Sequence, residues 1–200
     1  MKHSKPSRPV KPKDANRVRI IGGLWRSRNI TFADTEGLRP TASRVRETLF
    51  NWLGQTLHDR RVLDLFSGSG ALGFEAASRG AAAVVLVENN RTAAAELSRN
   101  RDKLGGATCQ IVAAGAHEFL ARNRVLFDIV FLDPPFASDL MSATLQALPP
   151  HLAPGAQVYL ESGAPIAEIV SATPSGWQVL KQGRAGVVHF ALLSLGTAAT

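Results

Sequence analysis

Four residues, Asp133-Pro134-Pro135-Phe136, directly follow the apolar run FDIVFL. The two prolines fix φ and lack N–H donors, so they hold the local carbonyl groups in set directions. An exocyclic amine of a nucleobase is a weak nucleophile until acceptors hold its N–H groups. Asp133 and the Pro134 carbonyl could each accept one of those hydrogen bonds, while Phe136 could stack on the base. The tetrad predicts a site that aims an amine at an electrophilic methyl group, although it could also simply end a strand and cover the core.

A glycine-rich turn follows an earlier apolar run, in the sequence DLFSGSGALG at positions 64–73. Gly68, Gly70 and Gly73 fit the pattern G-x-G-x-x-G, and Glu88 comes about 20 residues later, where a ribose ligand is expected. Glycines permit a sharp turn and close approach to a nucleoside, and a carboxylate after the second strand can accept both ribose hydroxyls. The pattern suits NAD and S-adenosylmethionine alike, and a tight turn that binds nothing remains open.

Asp64 favours one of these cofactors. It lies on the strand just before the glycines. A buried carboxylate would sit poorly against a pyrophosphate, but it can serve the ammonium of a methionine moiety, directly or through water. We therefore expect S-adenosylmethionine as the cofactor, with a strand-end aspartate satisfied inside the protein as the alternative.

Strands and helices must alternate to carry these residues. Apolar runs such as VLDLF, VVLVE and FDIVFLD, each followed by a helix, indicate a parallel sheet covered on both faces. The segments WQVLKQ, GRAG and VVHFALL predict a terminal antiparallel hairpin. This doubly wound α/β fold binds ligands beyond the carboxyl ends of its strands. The predicted strands are 61–66, 83–88, 108–113, 126–133 and 157–161, and the helices begin near Ala71, Arg91, Ala116, Asp139 and Pro165.

The region before this Rossmann-like core, which we place at 60–194, divides into three parts. Residues 1–17 hold six basic residues and one acidic residue, with Pro6, Pro9 and Pro12 between them. They predict a disordered basic arm that suits a polyanion or merely aids solubility. Residues 18–33 predict a small β-hairpin around Gly22 and Gly23. Residues 41–54 predict a helix capped by Thr41 or Ser43. Residues 18–200 would form one domain.

Composition limits the remaining possibilities. The chain has 200 residues and a net charge of +7, and no apolar stretch approaches the roughly 18 residues that span a bilayer. The basic, proline-rich start does not resemble a signal peptide. The single Cys109 and the five scattered histidines give no metal-ligand spacing. We expect a cytoplasmic, monomeric protein without a membrane segment or a metal.

Several segments together resemble the bacterial RsmD family, whose members methylate the N2 amine of a guanine in 16S ribosomal RNA. These segments are DLFSGSGALG, Glu88, DPPF, RIIGGLWRSR and EGLRPTASRVRETLFNWL. The stretch RPT-x-x-x-VRE-x-LFN is the most specific of them, and the resemblance spans about Arg19 to Ser194. It implies a class I S-adenosylmethionine-dependent methyltransferase fold, with the assembled or assembling small ribosomal subunit as substrate.

The resemblance also implies roles for particular residues. The target base would be held by Asp133, Pro134 and Phe136, and the cofactor by Gly68, Gly70 and Glu88. We also expect Asp64, Phe66, Asn89 and Ala116 at the cofactor. The RNA side of the pocket would be shaped by Arg39, Thr41, Arg44 and Arg46, unless these only begin a helix with solvated arginines. Related enzymes often place a polar residue near the adenine where this chain reads Ala113-Ala114-Gly115-Ala116. Backbone groups near Ala116 could replace that contact.

Three other functions compete with this interpretation. An oxidoreductase that uses a nicotinamide cofactor would fit the glycine pattern but leave Asp-Pro-Pro-Phe unexplained. A noncatalytic RNA-binding assembly factor would use the arginines but not the tetrad. An amino-methyltransferase acting on DNA adenine or on a protein amide could use a similar tetrad, and only the RPT-x-x-x-VRE segment argues against it.

Overall fold

The structure is a computed structural model that describes residues 16–32, 41–135, 140–173 and 176–196. Six α-helices and nine strands lie in these ranges, with a 3₁₀ turn at Pro149–His151. The strands are β1 Asn16–Arg19, β2 Asn29–Phe32, β3 Arg61–Asp64, β4 Ala83–Glu88, β5 Cys109–Ala113, β6 Phe127–Leu132, β7 Leu152–Ser162, β8 Trp177–Ala185 and β9 Val188–Leu195. The helices are α1 Ser43–Leu53, α2 Ala71–Ser78, α3 Arg91–Leu104, α4 Ala116–Arg122, α5 Leu140–Ala147 and α6 Ile166–Ser171.

A seven-stranded sheet has the order β5-β4-β3-β6-β7-β9-β8. Strands β3 to β7 pair in parallel, and β9 pairs antiparallel with both β7 and β8. The predicted parallel sheet and terminal hairpin are confirmed. Strand β3 ends at Asp64, two residues before its predicted end, because the chain turns there into the glycine loop.

Alternate residues of the central strands feed two hydrophobic clusters. On β3, Val62 belongs to the first cluster and Leu63 to the second, as the two-residue period of a strand requires. The first cluster packs the sheet against β1, β2, α1, α2 and α3. The second packs it against α4, α5 and α6. Both faces are therefore covered. None of the helices in the described ranges is long and apolar enough to cross a membrane.

Strands β1 and β2 form the predicted antiparallel pair, but Gly22 and Gly23 do not make a tight turn between them. They lie in a longer connection, 20–28, that packs against the end of α2. A Cβ at Gly23 would come within 1.8 Å of the Ser78 carbonyl oxygen, and one at Gly22 within 2.3 Å of the Arg79 guanidinium. Gly23 is needed for this close approach because the atoms near it are backbone atoms, whereas those near Gly22 belong to the end of the Arg79 side chain.

Helix α1 begins at Ser43, close to the prediction, but its capping differs. The N-cap residue is Ala42, and no side chain caps the helix. Thr41 is buried, and the Ser43 hydroxyl accepts a hydrogen bond from Arg46 at 3.2 Å. The prediction that Thr41 or Ser43 caps α1 is therefore wrong, because other contacts occupy both side chains.

Candidate functional site

Four acidic residues follow or end neighbouring parallel strands at the carboxyl edge of the sheet. Asp64 ends β3, Glu88 ends β4, Asp133 follows β6, and Glu161 lies near the end of β7. Asp64 of β3 pairs with Phe131 of β6. Asp133 and Glu161 each come one residue after Leu132 and Leu160, which pair with each other. The ends of these strands thus gather carboxylates where a doubly wound sheet binds its ligands.

The glycine loop after β3 has the backbone that only glycine adopts easily. Gly68 and Gly70 have φ of 48° and 77°. The Gly70 N–H donates to the Ser67 carbonyl at 2.6 Å, and Gly70 precedes the first residue of α2. A Cβ at Gly70 would lie 2.6 Å from Leu97 and 2.7 Å from Phe74. The loop therefore turns sharply and stays close to the helices beneath it.

Glu88 links the loop after β3 to the end of β4. Its carboxylate accepts hydrogen bonds from the Gly68 N–H at 2.8 Å and from the Asn90 N–H at 2.7 Å. A carboxylate has about four lone-pair sites, so capacity remains for ribose hydroxyls. Asn90, not its neighbour Asn89, caps α3 by accepting from the N–H groups of Thr92 and Ala93. Asn89 is exposed.

Asp64 is buried and fixes the start of α2. Its Oδ2 accepts a hydrogen bond from the Gly73 N–H at 2.9 Å. Burial raises the pKa of Asp64 to about 7; the Gly73 hydrogen bond opposes the rise, and the charge of Glu88 adds to it. A carboxylate that titrates so high gains from a cation nearby, which agrees with the predicted contact to an ammonium group. That contact remains a prediction.

The loop after β5 leads to Ala116, the last of the predicted cofactor residues. The Ala114 N–H donates to the Glu88 carbonyl at 3.1 Å, and the Gly115 carbonyl accepts from Phe119 in α4. A Cβ added to Gly115 would meet nothing within 4 Å, so the space beside it is open. Phe66 and Ala116 are partly buried against the second hydrophobic cluster. The predicted cofactor residues thus come from three adjacent loops, after β3, β4 and β5.

On the other side of β3, Asp133 and Pro134 follow β6. None of the described residues donates a hydrogen bond to the Asp133 carboxylate. Burial raises its pKa well above the ordinary value, and the charges of Glu161 and Asp64 raise it further. Pro134 is buried and Pro135 is exposed. The predicted stacking residue Phe136 lies outside the described residues, as does the predicted helix start at Asp139.

Glu161 was not predicted as a site residue. It is buried, and its carboxylate accepts a hydrogen bond from the Tyr159 hydroxyl at 2.9 Å. The Thr41 hydroxyl also hydrogen-bonds to it, and burial raises its pKa. An acidic residue that ends an apolar strand, here VYLES, is the signal that identified Asp64 and Glu88. The same signal could have identified Glu161.

The arginines predicted to face RNA separate into different environments. Arg44 is exposed on the first turn of α1. The Arg46 side chain is 2% exposed and lies 3.5 Å from Glu75, and it donates to the carbonyls of Thr41 and Arg19. A guanidinium enclosed in this way does not face a substrate, so the structure does not support the predicted RNA contact of Arg46. Arg39 lies outside the described residues, as does most of the predicted basic arm.

Glu75 explains why Arg46 is buried. Its carboxylate lies between Arg46 and Arg79, with Arg79 at 2.9 Å, and it accepts from the N–H groups of Ile21 and Gly22 at 2.8 Å each. One carboxylate thus joins α1, α2 and the connection between β1 and β2. Buried charges require such partners.

Comparison with known proteins gives consistent matches over most of the chain. The family model described as Conserved hypothetical protein 95 matches residues 18–194. Ribosomal RNA small subunit methyltransferase D of Escherichia coli strain K12 is 41% identical over 180 residues, which cover 89% of this chain and 90% of that protein.

Two solved structures of methyltransferases are also similar to this chain. The candidate methyltransferase yhhF of Escherichia coli has 40% identity and a TM-score of 0.79, over 90% of this chain and 98% of that one. A candidate S-adenosylmethionine-dependent methyltransferase from Streptococcus mutans shares the fold, with a TM-score of 0.72 at 15% identity over 94% of this chain and 57% of that one.

Proposed function

This chain belongs to the RsmD family, and from that premise we propose that it methylates the N2 amine of a guanine in 16S ribosomal RNA. It is an S-adenosylmethionine-dependent methyltransferase that modifies ribosomal RNA. We propose the assembled or assembling small subunit as its substrate. We also propose that it works as a cytoplasmic monomer without a metal ion.

The observation that carries this proposal is the state of Asp133. Asp133 is partly exposed beside two other acidic residues, Glu161 and Asp64, and no described residue donates a hydrogen bond to its carboxylate. A carboxylate that has lost much of its hydration and is still accessible gains when N–H donors reach it. The N–H groups of an exocyclic amine would supply those donors, and the neighbouring Pro134 carbonyl could accept a second N–H.

The cofactor side lies on the adjacent strands. Gly68, Gly70 and Glu88 would hold the nucleoside, with Phe66, Asn89 and Ala116 around it, and Asp64 would face the ammonium group. S-adenosylmethionine supplies an electrophilic methyl group on a sulfonium sulfur. Because Asp64 pairs with Phe131 of β6, two residues before Asp133, the two halves of the site are neighbours in the sheet.

Asp133 and Pro134 would then do three things for the amine. They would orient its lone pair along the direction of attack, which removes much of the entropic barrier. They would stabilise the positive charge that builds on nitrogen. Asp133 would finally accept the proton that the methylated nitrogen releases.

Transfer of a labelled methyl group from S-adenosylmethionine tests the function. Small ribosomal subunits, naked 16S RNA and duplex DNA would be offered in parallel, and the products digested to nucleosides. We expect N2-methylguanosine from the subunits, and the ratio of subunit to naked RNA shows whether assembly is required. Label in DNA adenine, in protein, or in no substrate would overturn the ribosomal proposal.

A further inference from the structure

Glu161 lies next to Asp133 at the carboxyl edge of the sheet. Leu132 of β6 pairs with Leu160 of β7 in parallel register. The next residues are Asp133, which follows β6, and Glu161 of β7, so the two lie next to each other at the carboxyl edge of the sheet. Glu161 is only 5% exposed, and its charge is one of the causes of the raised pKa of Asp133. The charge of Glu161 thus acts directly on the Asp133 carboxylate.

Two hydroxyl groups hold the Glu161 carboxylate in place. The Tyr159 hydroxyl donates at 2.9 Å, and Thr41 provides a second hydrogen bond. Tyr159 is fully buried, and its ring packs edge-on to Phe131 at 6.3 Å between centroids. Burial raises the pKa of Glu161, and both hydrogen bonds oppose that rise by favouring its ionised form. Ion pairs within the described ranges include neither Glu161 nor Asp133. The negative charge of Glu161 is therefore anchored but not neutralised.

We propose that Glu161 is a positioning residue for the reaction: its anchored carboxylate makes Asp133 the proton acceptor for the methylated amine. This inference rests on the proposed function. The amine lone pair forms the new N–C bond while the C–S bond of the sulfonium breaks. The electron pair of the broken C–S bond stays on sulfur, which becomes a neutral thioether. The nitrogen is then cationic, and one of its protons moves to Asp133 and later to solvent. Glu161 makes this transfer favourable by keeping Asp133 basic.

The direction of the effect follows from the groups that face each carboxylate. Glu161 of β7 and Asp64 of β3 face Asp133, and both raise its pKa. Tyr159, Thr41 and Asp133 face Glu161. Replacing Glu161 with glutamine removes one negative charge from beside Asp133, so the pKa of Asp133 falls. Asp133 then stays ionised to lower pH but is a weaker base. The acidic limb of the pH–rate profile should move to lower pH and the plateau rate should fall.

Carboxyl-carbon NMR titration of Asp133 in the full-length protein, without RNA, tests the inference independently of the substrate. In Glu161→Gln, we expect the midpoint of Asp133 to fall by about one pH unit, as the loss of a neighbouring like charge predicts. Glu161→Asp keeps the charge and should stay near the wild type. Tyr159→Phe removes one anchoring donor, so its shift should have the same direction and be smaller. Tyr159→Phe also serves as the test if Glu161→Gln does not fold.

The pH–rate profile of methyl transfer then connects the titration to the reaction. A matching shift of its acidic limb in Glu161→Gln, with unchanged S-adenosylmethionine affinity, supports the positioning role. An unshifted Asp133 titration overturns the inference even if ribosomal RNA is methylated. The expected titration with no methylation of ribosomal RNA supports the link between Glu161 and Asp133, and counts only against the proposed function.

Discussion

The carboxylates in the two halves of the site differ in their hydrogen-bond donors. On the cofactor side, backbone N–H groups bind the acids: Gly73 donates to Asp64, and Gly68 and Asn90 donate to Glu88. On the base side, Asp133 has no donor among the described residues, and Glu161 has only hydroxyl donors. The cofactor side is fixed before any ligand arrives, whereas the base side leaves an acceptor open.

This difference suggests a division of labour between the halves. A preorganised backbone can bind a cofactor without reorganising at the moment of reaction. An acid that has no donor among the described residues gains when the N–H donors of an amine reach it, so its interactions strengthen as the amine is bound and activated. Changes on the two sides should therefore affect different measurements, binding of S-adenosylmethionine on one side and turnover on the other.

The largest expected effect is that of Asp133→Ala. It removes the acceptor for both the amine hydrogen bond and the proton, so methyl transfer should fall by about 10²–10⁴-fold. Affinity for S-adenosylmethionine, measured by calorimetry, should hardly change because the proposed role of Asp133 is to hold the base and not the cofactor. An equal loss of turnover and affinity would remove the distinction between the two halves.

Next in size is Gly70→Ala, on the cofactor side. The new Cβ would meet Leu97 at 2.6 Å and Phe74 at 2.7 Å, at a φ of +77°. The loop must shift, so we expect affinity for S-adenosylmethionine to fall by about tenfold, which corresponds to about 1.4 kcal/mol. Turnover at saturating cofactor and RNA should fall much less.

Gly105→Ala is the matched control for Gly70→Ala. Gly105 has a similar φ of +70°, but a Cβ there meets nothing within 4 Å. It should therefore show the cost of backbone strain, measured as a lower melting temperature, without loss of cofactor affinity. The same affinity loss in both variants would mean that general destabilisation, not the loop geometry, controls cofactor binding.

The parts of the fold that were predictable are those with a local signal. Helices begin at Ala71, Arg91 and Ala116 as expected, and β4 ends at Glu88, because each boundary is set by nearby glycines, a capping residue or an end to the apolar run. The class of fold and the use of S-adenosylmethionine follow from motifs within such segments. The residues within these segments were sufficient to predict the fold class and the cofactor.

The errors arose where distant residues decide the environment. The sequence predicts an RNA contact for Arg46, but its partner Glu75 lies 29 residues away, inside the largely apolar helix ALGFEAAS. The sequence predicts a hairpin around Gly22 and Gly23, but Gly23 packs against the Ser78 backbone and Gly22 against the Arg79 side chain. Sequence periodicity does not contain these pairings, which appear only when the elements pack.

A smaller effect is expected from Asp64→Asn, measured by thermal unfolding. The folded-state pKa of Asp64 is about 7, above its ordinary value of 3.8. The folded protein therefore binds this proton more tightly than the unfolded chain, and stability from this group is lost as pH rises from about 4 to 7. Asparagine does not titrate, and its carbonyl oxygen can still accept from Gly73. The variant should melt a few degrees higher than the wild type at pH 8, but not at pH 4.

Asp64→Asn should at the same time weaken S-adenosylmethionine binding, because a neutral amide cannot balance an ammonium charge. A gain of stability together with a loss of affinity would show that the buried charge of Asp64 destabilises the folded protein but contributes to cofactor binding. A melting difference that is the same at both pH values would contradict the titration of Asp64, and unchanged affinity would remove it from the cofactor site.

The smallest expected effect is that of Arg44→Ala, which tests how far the base side extends. Arg44 is exposed at the start of α1, three residues after Thr41, whose side chain hydrogen-bonds to Glu161. If it contacts one phosphate, the substitution should weaken RNA binding and reduce the salt slope of the affinity by about one. Arg122→Ala is the control, because the exposed Arg122 ends α4, which covers the face of the sheet opposite to α1. Equal salt slopes for the wild type and Arg44→Ala would confine the base side to Asp133, Pro134 and the residues that hold them.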